Sequence, residues 1–276
     1  MPGTLYLVAT PIGNLKDLSP RALEVLSAVA FVICEDTRHS GTLLSAHGVK
    51  KPLLSLPAFD EAARAEALAG RIAAGEDAAL VTDAGTPAIS DPGEKLVACA
   101  IQRGVTVVPV PGPSALIAAL SASGLPTGRF HFLGFLPRQR SEAEAMLAEV
   151  RGLRATLVLY ESPQRLGETL QLLERELPGR RACVARELTK LHEELVRGTL
   201  AELAARFTAQ PALGEIVIVV EGFTGDARWG EDRLRAALTE GLRHGHRLKE
   251  LSKELARTAG WSASDVSELG LQLKTK

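Results

Sequence analysis

The chain has 276 residues, enough for one large domain or two of ordinary size, and 46% of them are hydrophobic and 24% charged, which excludes a disordered or collagen-like protein. Its net charge of −1 excludes a polybasic protein but leaves room for a local basic face. The three cysteines lie far apart in the sequence, so we expect a cytoplasmic protein with no disulfide scaffold and no metal site. No apolar run reaches the roughly 18 residues of a membrane span, and we therefore expect no membrane partner.

The first half of the chain alternates between predicted strands and predicted helices. Apolar runs of strand length occur at residues 4–9, 30–34, 78–82 and 106–110, and several are apolar throughout, as in strands that are covered on both faces. A capping residue before proline predicts a helix start at Ser19-Pro20, at Asp91-Pro92 and, further along, at Ser162-Pro163. Such alternation indicates a doubly wound α/β sheet.

Strands dominate the second half, with apolar runs at residues 129–135, 156–160, 182–185 and 215–220. The segments 182–189 and 193–200 are close enough to suggest a hairpin. Capping-box spacing predicts further helix starts at Ser141…Glu144 and Thr199…Glu202.

The last part of the chain has a wholly helical pattern. Residues 228–276 hold ten lysines and arginines against seven acids, an excess of three positive charges. We expect two helices joined at Gly260 after residue 247, with Ser262 or Ser264 capping the second and with a buried stripe of Leu248, Leu251, Leu255 and Ala256.

Three loops that follow predicted parallel strands are candidates for a ligand site, because open α/β sheets bind ligands at the carboxyl ends of their strands. They are residues 10–14, 82–93 and 111–115, all rich in glycine and proline. The first of them matches neither the dinucleotide-binding nor the P-loop glycine pattern, which disfavours both classes. Each loop alone could equally be an ordinary connection.

Taken in order, these loops and their neighbours resemble a known family. The resemblance is carried by LYLVATPIGNLKDLSPRALEVL from Leu5, CEDTRHSG from Cys34, VTDAGTPAISDPG from Val81, VPVPGPSALIAALSASGLP from Val108, GFLPR from Gly134, YESPQR from Tyr160 and RELTKLHEELVRGTL from Arg186. The chain resembles the tetrapyrrole-methylase-like (class III) S-adenosylmethionine-dependent methyltransferases, and within them the 16S rRNA cytidine 2′-O-methyltransferase branch. Its TPIGN loop differs from the acidic G-x-G-x-G-D of tetrapyrrole-modifying relatives, in agreement with the RNA branch.

The resemblance implies two α/β domains, at residues 1–114 and 115–227, with a helix-turn-helix-like RNA-contacting appendage at residues 228–276. It also implies a cleft that binds S-adenosylmethionine, a 16S rRNA or small-subunit substrate, and a homodimer. Carried over residue by residue, it predicts these donor-binding residues: Pro11, Asp83, Ala84, Gly85, Ala88, Ile89, Ser90, Ser114, Ala115, Tyr160, Leu188 and Ile216.

Transfer to a ribose hydroxyl also needs a group that accepts the hydroxyl proton. Glu35, Asp36, Glu161, Glu187 and Lys190 are candidates, since all are predicted near strand ends. We favour the Asp36–Arg38 pair, with Glu161 and Lys190 as second choices, although Asp36 and Arg38 could equally form a structural ion pair.

RNA contacts must come from local positive charge because the chain as a whole is nearly neutral. The predicted RNA-binding residues are Arg138, Arg140, Arg165, Arg247, Lys249, Lys253 and Arg257. A solvated helical face is the alternative for the C-terminal four.

Two other functions remain open at this point. A small-molecule methyltransferase acting on a tetrapyrrole-like substrate is compatible with the fold, and it would stay active after deletion of residues 228–276. A non-catalytic RNA-binding assembly factor would bind RNA but no methyl donor, which calorimetry with S-adenosylmethionine would detect.

Overall fold

The computed structural model describes residues 1–224, 229–259 and 261–274, and within them the chain forms two five-stranded sheets. The first sheet consists of β1 (Thr4–Val8), β2 (Phe31–Cys34), β3 (Leu53–Ser55), β4 (Ala78–Leu80) and β5 (Thr106–Val110). These strands are parallel and stand in the order β3-β2-β4-β1-β5. After β1 the chain continues to β2 on one side of β1, and after β4 it continues to β5 on the other side of β1. The neighbouring strands β1 and β4 therefore flank the point where an open α/β sheet binds its ligand.

Helices cover both faces of the first sheet: α1 (Pro20–Ala28), α2 (Thr37–Ala46), α3 (Glu61–Ala73) and α4 (Glu94–Gln102). One apolar cluster, which includes Ile72 and Leu96, packs α3 and α4 on one face, and another, which includes Leu26 and Leu44, packs α1 and α2 on the other. Burial from both sides explains why β2 and β4 contain only buried apolar residues.

The second sheet is mixed and stands in the order β6-β7-β10-β8-β9. Only β6 and β7 are parallel neighbours, and the other pairs are antiparallel. Its strands are β6 (Phe130–Phe135), β7 (Thr156–Glu161), β8 (Arg181–Arg186), β9 (Glu194–Thr199) and β10 (Ile216–Val220). Three helices pack on one face, α6 (Arg140–Val150), α7 (Leu166–Glu176) and α8 (Leu200–Ala209), and α5 (Ala115–Ala122) packs on the other.

The C-terminal region is helical, as predicted, and has a core of its own. It contains α9 (Glu231–Arg243), α10 (Leu248–Ala259) and α11 (Ala263–Lys274). The predicted stripe on α10 is confirmed, because Leu251 and Leu255 are buried there and Leu248 and Ala256 pack against them. The Ser262 hydroxyl accepts a hydrogen bond from the Asp265 amide at 3.0 Å and caps α11, whereas Gly260 lies outside the described residues.

The predicted α/β fold class is confirmed, and so is the hairpin formed by β8 and β9. The sequence did not predict β3, which has only three residues, too few for a periodic signal. The domain limits at residues 114 and 227 stay a prediction, and residue 227 lies outside the described ranges.

Two helix starts follow their sequence signals. The Ser19 hydroxyl accepts a hydrogen bond from the Ala22 amide at 3.1 Å, and Pro20 occupies the first position of α1. Thr199 and Glu202 form the complete capping box at the start of α8. Residue type and spacing alone therefore predicted the side-chain capping of free amides at these two helix starts.

Three other predicted helix starts are wrong. Helix α4 begins at Glu94 and α7 begins at Leu166, two or more residues after the expected prolines. The Asp91 carboxylate instead accepts a hydrogen bond from the Thr82 hydroxyl at 2.6 Å, and the Ser162 amide donates to Glu161. Helix α6 begins before Ser141, which therefore does not cap it. In the first case a contact nine residues away in sequence, and in the second a hydrogen bond to the adjacent Glu161, takes the place of the expected cap.

The edges of both sheets remain accessible. Strands β5 and β6 lie at the edges of their sheets. Their residues are more exposed to solvent than their apolar sequences predict, and the side chain of Phe130 is exposed. Pro109 of β5 has no amide hydrogen to donate and is tolerated because it lies on an edge. Within the described ranges no helix is both long and apolar enough to cross a bilayer.

Candidate functional site

A cavity of about 450 Å³ lies between the carboxyl ends of the first sheet and one end of the second. This volume falls within the range typical of small-molecule sites. We call it the central cavity. It is lined from the first half by Ile12, Glu35, Asp83, Ala84, Gly85, Thr86, Ile89, Ser90, Asp91, Ser114 and Ala115, and from the second by Phe135, Tyr160, Glu161, Ser162, Pro163, Leu188, Gly214, Glu215, Ile216 and Val217.

The three loops predicted from the sequence form the first wall and are tied to one another. Thr10 and Gly85 exchange backbone hydrogen bonds of 2.8 and 3.2 Å, which join the loops after β1 and β4. The Thr86 hydroxyl donates to the carbonyl of Pro113 at 3.2 Å and joins the loop after β5. Gly85 has a φ of +89°, a conformation that favours glycine. The three loops of this wall are therefore connected to one another by hydrogen bonds to their backbones.

Backbone strain is concentrated around the central cavity. Among the described residues, those with positive φ other than glycine are Ala88, Ser90, Glu187 and Thr189. The first two belong to the loop after β4 and the other two to the loop after β8, so both walls carry strained residues. Such strain persists only where the surroundings impose it, and it is common at ligand sites.

The cavity wall is acidic. Carboxylates of Glu35, Asp83, Asp91, Glu161 and Glu215 line it, and no lysine or arginine does so in the part of the chain that is described. Asp83 Oδ1 is buried without a hydrogen-bond partner among the described residues. A cavity of this charge favours a ligand that carries positive charge.

The Glu35 carboxylate is another unpaired acid of this lining. It is half-buried and accepts no hydrogen bond from the described residues, while its backbone carbonyl accepts one from Ser55. Burial, with smaller contributions from the charges of Asp91, Asp83 and Asp36, raises the pKa of Glu35. A carboxylate with a raised pKa in a cavity is suited to accept a proton.

Aromatic side chains form part of the second wall. The rings of Phe135 and Tyr160 lie 5.6 Å apart, and Phe132 packs edge-on against Tyr160 at 4.9 Å. Burial raises the pKa of the Tyr160 phenol. Strand register explains the aromatic grouping, because Phe135 of β6 lies opposite Tyr160 of β7.

Lys190 does not line the central cavity, but it contacts residues of both walls. Its ammonium donates to Glu187 at 2.7 Å and to Glu215 at 2.9 Å, and its side chain packs on Gly13 of the loop after β1. Burial alone would lower the pKa of Lys190, but the hydrogen bonds to the two carboxylates outweigh it and raise that pKa. Lys190 therefore stays protonated and has no lone pair with which to accept a proton.

The favoured pair, Asp36 and Arg38, lies outside the lining of the central cavity. Asp36 caps α2 by accepting from the Arg38 amide at 2.8 Å, and the two side chains form an ion pair at 3.1 Å. Hydrogen bonds from Arg38 lower the pKa of Asp36. The Arg38 side chain is 90% exposed, so the pair is a local contact at a helix start.

Glu161 does line the cavity, but both of its oxygens are in use. One accepts from the Ser162 amide at 2.7 Å and the other from the Thr169 hydroxyl at 2.6 Å. Arg165 Nε lies 3.7 Å from the same carboxylate. This arrangement holds the turn between β7 and α7 in place.

Most predicted donor-binding residues line the central cavity, whereas Pro11 and Ala88 belong to the lining loops without facing it. The sequence reading did not single out Ile12, Thr86, Phe135 or Glu215. Ile12 and Thr86 lie inside quoted motifs, but which motif residues face inward depends on loop conformation. The predicted donor-binding residues that line the cavity are Asp83, Ala84, Gly85, Ile89, Ser90, Ser114, Ala115, Tyr160, Leu188 and Ile216.

The predicted RNA-binding residues fall in two places. Arg138, Arg140 and Arg165 line a second depression, on the second-sheet half of the molecule. Arg247, Lys249 and Lys253 are exposed at and near the start of α10, as their assignment requires. The side chain of Arg257 lies outside the described residues.

Comparison with known proteins places this geometry in context. The family model described as Tetrapyrrole (Corrin/Porphyrin) Methylases matches residues 4–204. A protein of Synechocystis sp. named ribosomal RNA small subunit methyltransferase I is 42% identical over 275 residues, which cover 99% of each chain. A protein of the same name from Xylella fastidiosa is 48% identical over 252 residues and 90% of each chain.

Solved structures share the fold at low identity. Diphthine synthase superposes with a TM-score of 0.61 at 18% identity and covers 79% of this chain and 90% of its own. Uroporphyrin-III C-methyltransferase from Thermus thermophilus, solved with S-adenosylhomocysteine, has a TM-score of 0.55 at 22% identity, over 79% of this chain and 97% of its own.

Proposed function

We propose that this chain, which belongs to the tetrapyrrole (corrin/porphyrin) methylase family, methylates 16S ribosomal RNA of the small subunit with S-adenosylmethionine as methyl donor. The acceptor that we propose is the 2′-hydroxyl of a cytidine. We further propose that the chain forms a homodimer. This dimer acts in the cytoplasm on 16S rRNA or on the small subunit. Exposed apolar side chains of Ile117 and Phe130 offer surface for such a dimer.

The acidic lining of the central cavity is the observation that carries the donor assignment. S-adenosylmethionine supplies an electrophilic methyl carbon on a positively charged sulfur, and its amino group is a second cation. Asp83 Oδ1, buried without a partner among the described residues, is a free acceptor for such a cation. Ala84, Leu188 and Ile216 give the apolar surface that a nucleoside needs, so the residues fit the donor.

Glu35 is the group that we propose to receive the proton of the acceptor hydroxyl. Of the candidates that the sequence offered, Glu161 is held by hydrogen bonds, and Glu187 is paired with Lys190. Asp36 is paired with Arg38 away from the lining. Glu35 alone among these five lines the cavity with a carboxylate that no described residue engages. Its raised pKa brings it closer to the pH of the reaction, where proton acceptance is most effective.

The rest of the machinery acts by positioning. The connected loops after β1, β4 and β5 hold one wall rigid, and Lys190 ties that wall to Glu187 and Glu215 of the other. Alignment of reacting groups and exclusion of water can provide most of the rate acceleration in such a displacement. We therefore assign Lys190 a positioning role.

The positive residues of α10 should contribute to RNA affinity. Reversing the charge of Lys249 and Lys253 together is expected to weaken RNA binding about tenfold and to flatten the dependence of log K on log salt, because each lost phosphate contact removes a slope of about 0.7–0.9. Binding titrations at several salt concentrations measure both effects. Lys50→Glu is the matched control, since Lys50 is exposed and has no charged partner among the described residues. Equal affinity of the Lys249/Lys253 variant and the parent at every salt concentration would mean that this face is merely solvated.

Labelled methyl transfer tests the proposed function directly. Purified protein is incubated with labelled S-adenosylmethionine and either free 16S rRNA or small subunits that lack the modification, and the labelled nucleotide is then mapped. We expect label on one cytidine ribose with at least one of the two substrates. Transfer to neither, or transfer to a base atom, would reject the proposal or its choice of acceptor, respectively.

A further inference from the structure

A second depression of about 410 Å³ lies beside the central cavity and differs from it in charge. We call it the arginine groove. It is lined by Pro137, Arg138, Arg140, Ala143, Arg165, Glu168, Thr169, Gln171, Leu172 and Arg175. The charged residues of its lining are thus four arginines and one glutamate, whereas the charged residues that line the central cavity are all acids.

The arginines of the groove are held in different ways. Both terminal nitrogens of Arg165 donate to the carbonyl of Leu136 at 3.1 Å, which fixes its guanidinium. Arg140 and Arg175 share a single carboxylate, that of Glu144, at 2.9 and 2.8 Å. Arg175 Nε also lies 3.3 Å from Glu176. Arg165 Nε lies 3.7 Å from Glu161, and Glu168 also lines the groove, so four carboxylates accompany the four arginines. None of these carboxylates forms an ion pair with Arg138.

Arg138 is the free cation of the groove. Its side chain is exposed and has no ion pair or hydrogen bond among the described residues. A guanidinium in this state keeps all its donors available, and their planar arrangement matches two oxygens of a phosphate.

The groove and the central cavity share a wall. Ser162 and Pro163 line the cavity, and Arg165 and Thr169 line the groove only a few residues further along the chain. The Glu161 carboxylate lies between them, since one oxygen accepts from the Ser162 amide and the other from the Thr169 hydroxyl. A chain molecule with one unit in the cavity can therefore extend along this shared wall into the groove.

We propose that the arginine groove binds the phosphodiester backbone next to the nucleotide that is methylated, with Arg138 as its main phosphate ligand and Arg175 as a second. This inference rests on the proposed function and names Arg175, which the sequence did not indicate. Polarity favours a phosphate over an apolar partner, because guanidinium groups rather than apolar side chains dominate the lining. The groove then sets the register of the RNA, while the central cavity selects the reacting ribose.

Charge reversal of Arg138 tests the groove without disturbing a contact. Arg138→Glu alone, and combined with Arg175→Gln, is expected to raise the dissociation constant for unmodified small subunits about tenfold and more than tenfold, respectively. The slope of log K against log salt should fall by about 0.7–0.9 for each lost contact. Affinity for S-adenosylhomocysteine should stay within twofold of the parent, because neither residue lines the central cavity.

Arg154→Glu is the matched control. Arg154 is exposed, forms no ion pair with a described residue, and precedes β7 at the end of that strand opposite to Glu161. We expect it to bind subunits like the parent. If Arg138→Glu also binds like the parent at every salt concentration, the groove does not hold the backbone. Methyl transfer by the parent is measured in the same preparation: its absence would reject the proposed function, whereas binding that ignores Arg138 would reject the groove alone.

Discussion

Replacing Glu35 by glutamine is expected to slow methyl transfer about a hundredfold while leaving donor affinity within about threefold, since a positioned proton acceptor typically contributes 10²–10⁴ in rate. Glutamine has nearly the size of glutamate, so the lining of the central cavity is preserved, but its amide does not accept the hydroxyl proton. Single-turnover methyl transfer to small subunits measures the rate, and calorimetry with S-adenosylhomocysteine measures donor affinity.

The pH dependence gives an independent readout of Glu35. Burial and the neighbouring carboxylates raise its pKa, and only the deprotonated carboxylate accepts a proton. The parent should therefore lose activity as the pH falls through that raised pKa, at a higher pH than an ordinary glutamate would give. In the Glu35→Gln variant this acid limb should disappear, which a merely structural role would not produce.

Asp36→Asn serves as the comparison, because Asp36 follows Glu35 directly and lies outside the lining of the cavity. We expect its rate to stay within about threefold of the parent, a change of under 1 kcal/mol in activation free energy. Asp36 also caps α2, so thermal unfolding of this variant is recorded alongside. The opposite pattern, a slow Asp36→Asn and a fast Glu35→Gln, would restore the Asp36–Arg38 pair as the acceptor.

The sequence predicted the parts of the fold that depend on local pattern. Buried parallel strands such as β2 and β4 read as continuous apolar runs, and the capping box at Thr199 is a four-residue signal. The helix start predicted at Asp91 is wrong because the Asp91 carboxylate accepts a hydrogen bond from Thr82, nine residues away in sequence. Capping rules that consider only neighbouring residues do not account for such a contact.

The same contrast between local pattern and distant contacts applies to the site. Local motifs predicted some of its residues, whereas others depend on the fold and could be identified only from the structure. Motifs such as TDAGTPAIS identify a loop, and most of the predicted loop residues do line the central cavity. Glu35 and Asp36 are adjacent in one motif, and only the fold decides that the first faces the cavity while the second caps a helix. Arg175 reaches its groove from the far part of α7, a placement with no sequence signal.

Gly85→Val is expected to weaken donor binding at least tenfold. Gly85 joins the loops after β1 and β4 through its hydrogen bonds with Thr10, and its φ of +89° is costly for any other residue. A Cβ at this position would lie 3.5 Å from Ile12, in the wall of the central cavity, so the two methyl groups of valine would extend from that wall. Calorimetric titration with S-adenosylhomocysteine measures the effect, which at tenfold corresponds to about 1.4 kcal/mol.

Gly104→Val separates the loss of cavity space from the cost of backbone strain. Gly104 also has a positive φ, +71°, but nothing lies within 4 Å of a Cβ built there, and it is not part of the lining. Both variants should lose similar unfolding free energy, about 1–2 kcal/mol, because a left-handed conformation disfavours valine at either position. Only Gly85→Val should lose donor affinity. If Gly104→Val weakens donor binding equally, global destabilisation explains the loss, and the loop after β4 does not form the donor wall.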